Sequence, residues 1–132
     1  MKLHVNTSSR LPIYQQLGTQ IREAIARGQL QPEEKLPSVR ELSRELVVNP
    51  NTIARAYMEL ERGGFVVSRP GSGVFVSRPP ADLSGEARAR QLGELVDALL
   101  VQAVHLGFSA DEVQAHVEQR AKQFQWQPTD RQ

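Results

Sequence analysis

The chain has 132 residues, 39% hydrophobic and 23% charged, with no cysteine and a formal net charge of +1. That length suits one ordinary domain, or a small domain with an appendage. The composition is that of a globular protein, and the lack of cysteine excludes disulfides and thiolate metal sites. The N-terminal run MKLHVNTSSRLPIYQQL has no continuous apolar segment of the signal-peptide kind. No stretch approaches the ~20 apolar residues of a membrane span. A cytoplasmic protein with no membrane partner is expected.

Charge becomes informative once the chain is divided. Residues 1–80 hold eleven Lys/Arg against seven Glu, a net +4, whereas residues 81–132 hold five against eight Asp/Glu, a net −3. The pattern suits a basic part facing a polyanion and an acidic part kept away from it.

In chain order, the first helix is expected over Pro12–Arg27, with Ser9 or nearby polar residues as its cap. Ile13, Leu17, Ile21, Ala24 and Ile25 form its apolar stripe. Gly28 ends it, and a loop with a turn near Pro32 follows. Ser38 and Glu41 form a capping box that opens a second helix, with Val39, Leu42 and Leu46 on its buried edge. Asn49-Pro50, a cap residue and a first-turn proline, starts a third helix only a few residues later, which is helix-turn-helix spacing.

On the third helix Ile53, Ala56, Tyr57 and Leu60 fall on one side, the core side, while Asn51, Ala54, Arg55 and Met58 face away with Thr52 on the flank. The outward first turn thus offers an amide, a hydroxyl and a guanidinium, with no acid before Glu59. Such groups pair with base edges and phosphates in the major groove. Gly63-Gly64 closes the helix. Residues 65–68 and 74–77 read as two strands around the turn Arg69-Pro70-Gly71-Ser72-Gly73, whose backbone N–H groups can approach a phosphate. Helix, turn, helix and glycine-tipped hairpin together make a winged helix-turn-helix.

Residues 79–83 read as a stiff linker. Ser84 then caps a long helix with apolar positions Leu92, Leu95, Val96, Leu99, Ala103 and Leu106, stopping at Gly107. Ser109 and Glu112 form a second capping box, opening a last helix with Val113, Val117, Ala121 and Phe124 on one face. Two helices of this size do not bury both apolar faces on each other alone. A second copy supplies the missing surface most simply, and folding back onto the winged domain is the alternative. The expected fold is therefore mostly α with a small β-hairpin. It comprises a winged helix-turn-helix domain over 10–78, a linker over 79–83, a helical dimerisation and effector segment over 84–125 and a tail over 126–132.

The motifs P-I-Y-Q-Q-L at 12–17, L-P-S-V-R-E-L at 36–42, N-T-I-A-R-A-Y-M-E-L-E at 51–61 and G-S-G-V-F-V at 71–76 resemble the GntR family of bacterial transcription regulators. The N-P-N-T and R-A-Y-M-E-L-E wording, with a two-helix tail, looks most like its YtrA-like subfamily. The resemblance implies a homodimeric repressor on an imperfect palindrome of double-stranded DNA, often near transporter genes. It implies DNA contacts at Arg40, Asn51, Thr52 and Arg55, and minor-groove entry by Gly71 and Gly73. Some relatives carry arginines where this chain has Pro50 and Ala54, so their base-reading pattern does not transfer. With Ser38, Arg69 and Ser72, these residues form the candidate DNA-binding set.

No cofactor or metal is expected. His4, His105 and His116 are scattered, and Ser38 and Ser72 have no partnered histidine in any motif context. An enzyme reading has almost no support. A small-molecule effector would sit at the dimer interface or between tail and winged domain. The alternative from another class is a winged-helix protein–protein adaptor, since fold does not fix function.

Overall fold

The computed structural model describes residues 1–78 and 85–126. The expected linker at 79–83, the Ser84 cap and the tail beyond residue 126 lie outside these residues. The elements run α1 (Ile13–Ala26), α2 (Val39–Leu46), α3 (Pro50–Arg62), β1 (Val66–Arg69), β2 (Gly73–Val76), α4 (Gly85–His105) and α5 (Ala110–Ala121). The described residues form two compact units, one of 1–78 with 125–126, the other 85–124.

In the first unit the apolar stripes of α1, α2 and α3 meet, and Leu17, Ile21, Leu36, Leu42, Ile53, Leu60 and Val76 are fully buried. Fully burying each such aliphatic side chain is worth about 1.5–3 kcal/mol, so this cluster sets the angle at which α3 is held. Leu3 joins the same core. Its segment is fastened by two glutamines of α1 that imitate a neighbouring strand. Gln20 exchanges hydrogen bonds with the His4 backbone (2.9 and 2.7 Å), and Gln16 does the same with Asn6 (2.9 and 3.0 Å).

Ser9 does not cap α1. Its Oγ accepts from the Leu11 N–H at 3.1 Å, and Pro12 occupies the N-cap position with no side-chain cap bond. At α2 the expected capping box is formed. The turn into α3 places Val47 in the left-handed region (φ 54°, ψ 52°), an unusual conformation for a β-branched side chain. Ser43 holds that turn, its Oγ donating to the Val48 carbonyl at 2.6 Å and its carbonyl accepting from the Val48 N–H at 3.1 Å.

β1 and β2 pair antiparallel from Val66↔Val76 to Arg69↔Gly73, one residue from the expected strand limits. Gly71 (φ 79°) and Gly73 (φ 127°) supply the backbone angles the hairpin tip requires. The loop before α2, expected to be irregular, runs alongside β2 as a third strand-like segment. Glu33 N–H donates to Val76 O, Leu36 N–H to Val74 O and Val76 N–H to Glu34 O, each at 2.8 Å.

In the second unit α4 and α5 are separated by Gly107 (φ 89°), and a capping box between Ser109 and Glu112 starts α5. The Phe108 ring meets His116 edge-on at 5.8 Å. Neither helix contains a buried residue.

Candidate nucleic-acid interface

Three stretches of the first unit carry the candidate residues: the start of α3, the start of α2 and the hairpin tip. The back of α3 is locked by Ile53, Ala56, Tyr57 and Leu60, all buried. Tyr57 does more than fill space. Its hydroxyl donates to the Pro37 carbonyl at 2.7 Å, tying the segment that leads into α2 directly to α3. Burial pushes the Tyr57 phenol well above its ordinary range, with the Glu41 charge adding to the effect. The phenol therefore stays protonated and remains a donor.

With its back fixed, α3 turns its first residues outward. Asn49 Oδ1 accepts from the Asn51 N–H at 2.8 Å, and Pro50 takes the first helical position. Asn51 and Arg55 are exposed and Thr52 and Ala54 half-buried. Arg55 is not a loose side chain: its guanidinium lies 3.9 Å from the Tyr14 ring centroid, and one of its nitrogens donates to the Tyr14 hydroxyl at 3.2 Å. Stacking occupies one face of the guanidinium and leaves part of its N–H edge for an acceptor. Tyr14 thereby joins the site. It stands inside P-I-Y-Q-Q-L, but helical periodicity gave it no role because it belongs to neither the apolar stripe nor the polar face.

At α2, Ser38 serves its own helix. Its Oγ accepts from the Glu41 N–H at 3.0 Å while the Glu41 carboxylate accepts from the Ser38 N–H at 2.9 Å. These bonds hold the Glu41 carboxyl below its usual range, the backbone bond from Ser38 being the largest cause. Arg40, in the first turn, is exposed and makes no ion pair among the described residues.

At the hairpin, Gly71 and Ser72 are exposed and Gly73 half-buried. Ser72 N–H donates to the Arg69 carbonyl at 2.9 Å, closing the turn. The first strand of the hairpin is attached to α3 through Glu61, which accepts from both the N–H and the Oγ of Ser68 at 3.0 Å. Arg69 lies over the Phe75 ring at 4.6 Å and reaches Glu33 at 3.3 Å. Arg78 reaches the same carboxylate at 3.4 Å. Lys35 rests against the hairpin backbone, since a Cβ at Gly73 would stand 2.8 Å from its Cε. Glu33 and Lys35 lie far from the tip in sequence, and the strand-like pairing of residues 33–36 with β2 brings them beside it, whereas Arg78 follows β2 directly.

The expected dimerisation residues lie in the second unit. Leu92, Leu95, Val96, Leu99, Leu106 and Val117 are exposed, whereas Ala103, Val113 and Phe124 are half-buried. Leu100, Val101 and Val104 widen the exposed apolar surface of α4 beyond the expected stripe.

Residues 13–76 match the family model described as bacterial regulatory proteins, gntR family. The chain is 32% identical over 111 residues to the HTH-type transcriptional repressor YtrA of Bacillus subtilis, covering 84% of this chain and 85% of the relative. Among solved structures, a transcriptional antiterminator from Listeria monocytogenes superposes with a TM-score of 0.76 at 29% identity, over 99% of this chain and 98% of the other. The DNA-binding domain of AraR in complex with operator ORX1 matches 58% of this chain and 99% of its own length, at 30% identity and a TM-score of 0.53.

Proposed function

Because the chain belongs to the GntR family of bacterial regulatory proteins, we propose that it binds double-stranded DNA through its winged helix-turn-helix to control transcription as a repressor. It is a regulator rather than an enzyme, as its relatives are. The observation that carries the DNA reading is the exposed first half of α3, with Asn51 and Arg55 outward on a helix whose back is fully packed. Exposed Arg40 on α2 and the glycine tip at 71–73 supply phosphate-seeking groups to accompany these base-reading donors. An operator-bound relative with the same domain supports this reading.

The protein acts as a homodimer on a pseudo-palindromic operator. The support is the apolar surface of α4 and α5, which has no buried residue within its own unit. A contiguous exposed apolar face of this kind marks an association surface, and twofold pairing places two α3 helices on symmetric half-sites. Control of transporter genes is what the family resemblance implies, and a small-molecule effector would sit at the interface of the dimer.

Selection from random duplexes with the purified chain, followed by a salt titration on the enriched sequence, tests the proposal. Affinity should fall linearly on a log–log plot, with a slope of about −0.9 per phosphate neutralised. No enriched sequence together with a flat salt response would sink the DNA reading and favour a protein-binding adaptor.

A further inference from the structure

Beside the hairpin lie three cations, Lys35, Arg69 and Arg78, and the carboxylate of Glu33, which Arg69 and Arg78 share. Glu33 accepts from Arg69 at 3.3 and 3.4 Å through its two oxygens, and Arg78 Nε approaches the same Oε1 at 3.4 Å. The carboxylate is firmly placed. Its backbone N–H is bonded to Val76 in β2, and its left-handed φ of 75° fixes the direction in which the side chain leaves the chain. Arg69 is likewise positioned by the Phe75 ring beneath it. All three partners stay open to water, with side-chain exposures of 44% for Glu33, 45% for Arg69 and 74% for Arg78. An incoming anion can therefore take the place of the carboxylate.

The geometry points to Glu33 as an internal competitor for phosphate, one that keeps the hairpin arginines occupied and so holds down the sequence-independent affinity for a duplex. This rests on the DNA-binding reading above. The physical reason is a difference in what each contact reads. Phosphate contacts strengthen binding to every sequence alike, whereas base-edge contacts from α3 discriminate. A carboxylate that competes only for the phosphate-seeking arginines lowers the sequence-independent part and leaves base discrimination intact. General affinity falls while the ratio between operator and random duplex stays the same.

Glu33→Gln in the full chain tests this, because it removes the charge while keeping length, backbone conformation and hydrogen-bonding capacity. Binding to a random-sequence duplex should tighten by about three- to tenfold, the range expected when weak exposed ion pairs are released. The salt slope should steepen by about 0.9 to 1.8, one or two added phosphate contacts. Affinity for the selected operator should rise by the same factor, and a gain confined to one of the two duplexes overturns the inference. Unchanged or weaker binding to random duplex by the variant, with its melting temperature intact, overturns the inference. So does a gain that persists undiminished when Glu33→Gln is combined with Arg69→Gln and Arg78→Gln, since the effect would then not pass through those pairs. Wild-type protein that holds no duplex even at low salt would instead bring down the DNA reading itself, and this inference with it.

Discussion

The two units use the same sequence device to opposite ends. In α1, α2 and α3, apolar residues recur at three- and four-residue steps, and those stripes disappear into one core with Leu17, Ile53 and Leu60 fully buried. In α4 the same periodicity leaves Leu95 69% and Leu99 47% exposed. Amphipathic spacing specifies that a face needs a partner, but the partner's location is a separate matter. The winged unit finds its partner within the chain. The helical unit offers its face outward, which is why we assign recognition to the first and pairing to the second.

Substitution at matched positions is the strongest way to break that contrast. Leu60→Ala opens a cavity in a closed core and should cost about 2–5 kcal/mol in urea unfolding, whatever the protein concentration. Leu99→Glu should leave the winged unit folded yet shift sedimentation from dimer to monomer, with any loss of stability relative to wild type shrinking as both proteins are diluted. A loss for Leu99→Glu that ignores concentration would place that side chain in an intramolecular core and end the distinction.

Within the winged unit the next effect belongs to Arg55. Arg55→Ala should weaken binding to the selected operator by about 1–3 kcal/mol if the guanidinium holds a base edge. Tyr14→Ala should reproduce part of that loss without touching DNA, because the ring that orients the guanidinium is gone. Tyr14→Phe keeps the ring and drops only the 3.2 Å hydrogen bond, so it should fall between wild type and Tyr14→Ala. Equal affinity for all three proteins would mean that Arg55 needs no support from α1.

Much of this was legible before any coordinates. The Ser38 and Ser109 boxes, the Asn49-Pro50 start, the buried positions of α3 and the hairpin tip follow from local rules that act within four residues. What escaped those rules arises from contacts between residues far apart in the chain. Gln16 and Gln20 look like ordinary polar residues of a helix face, yet they bind the backbone of residues 4 and 6. Tyr14 and Arg55 are 41 residues apart and Glu33 and Arg69 36, and no periodicity links either pair. Ser9 erred the other way: a good cap residue stood too far from the helix start, and its hydroxyl found the Leu11 N–H first. Local propensity names the elements, while tertiary pairing decides which of their polar residues are held and which are free to read a ligand.

The smallest effect offers the finest comparison, because both units contain the same Ser-x-x-Glu box. Glu41 and Glu112 each sit below the ordinary carboxyl value of 4.5, with the backbone hydrogen bond from Ser38 or Ser109 as the largest cause. In both cases the unfolded chain takes up the proton at higher pH than the folded chain. The stabilisation is therefore whole above pH 4.5 and fades as pH falls through the lower, folded value. Glu41→Gln and Glu112→Gln preserve an acceptor for the serine N–H but remove the titration. Each should flatten part of the acid limb of the melting curve, giving up at pH 7 the small contribution of the charged carboxylate and changing stability little at low pH. The two variants should nonetheless differ in one readout. Glu41 lies in the first turn of the helix that carries Arg40 and stands near Tyr57, so its substitution should also alter how operator binding responds to pH below 4.5. Glu112 lies in the pairing unit, and its substitution should move the pH at which the dimer dissociates. An identical response of operator binding and of dimerisation to both substitutions would mean that the two units do not divide the work as proposed.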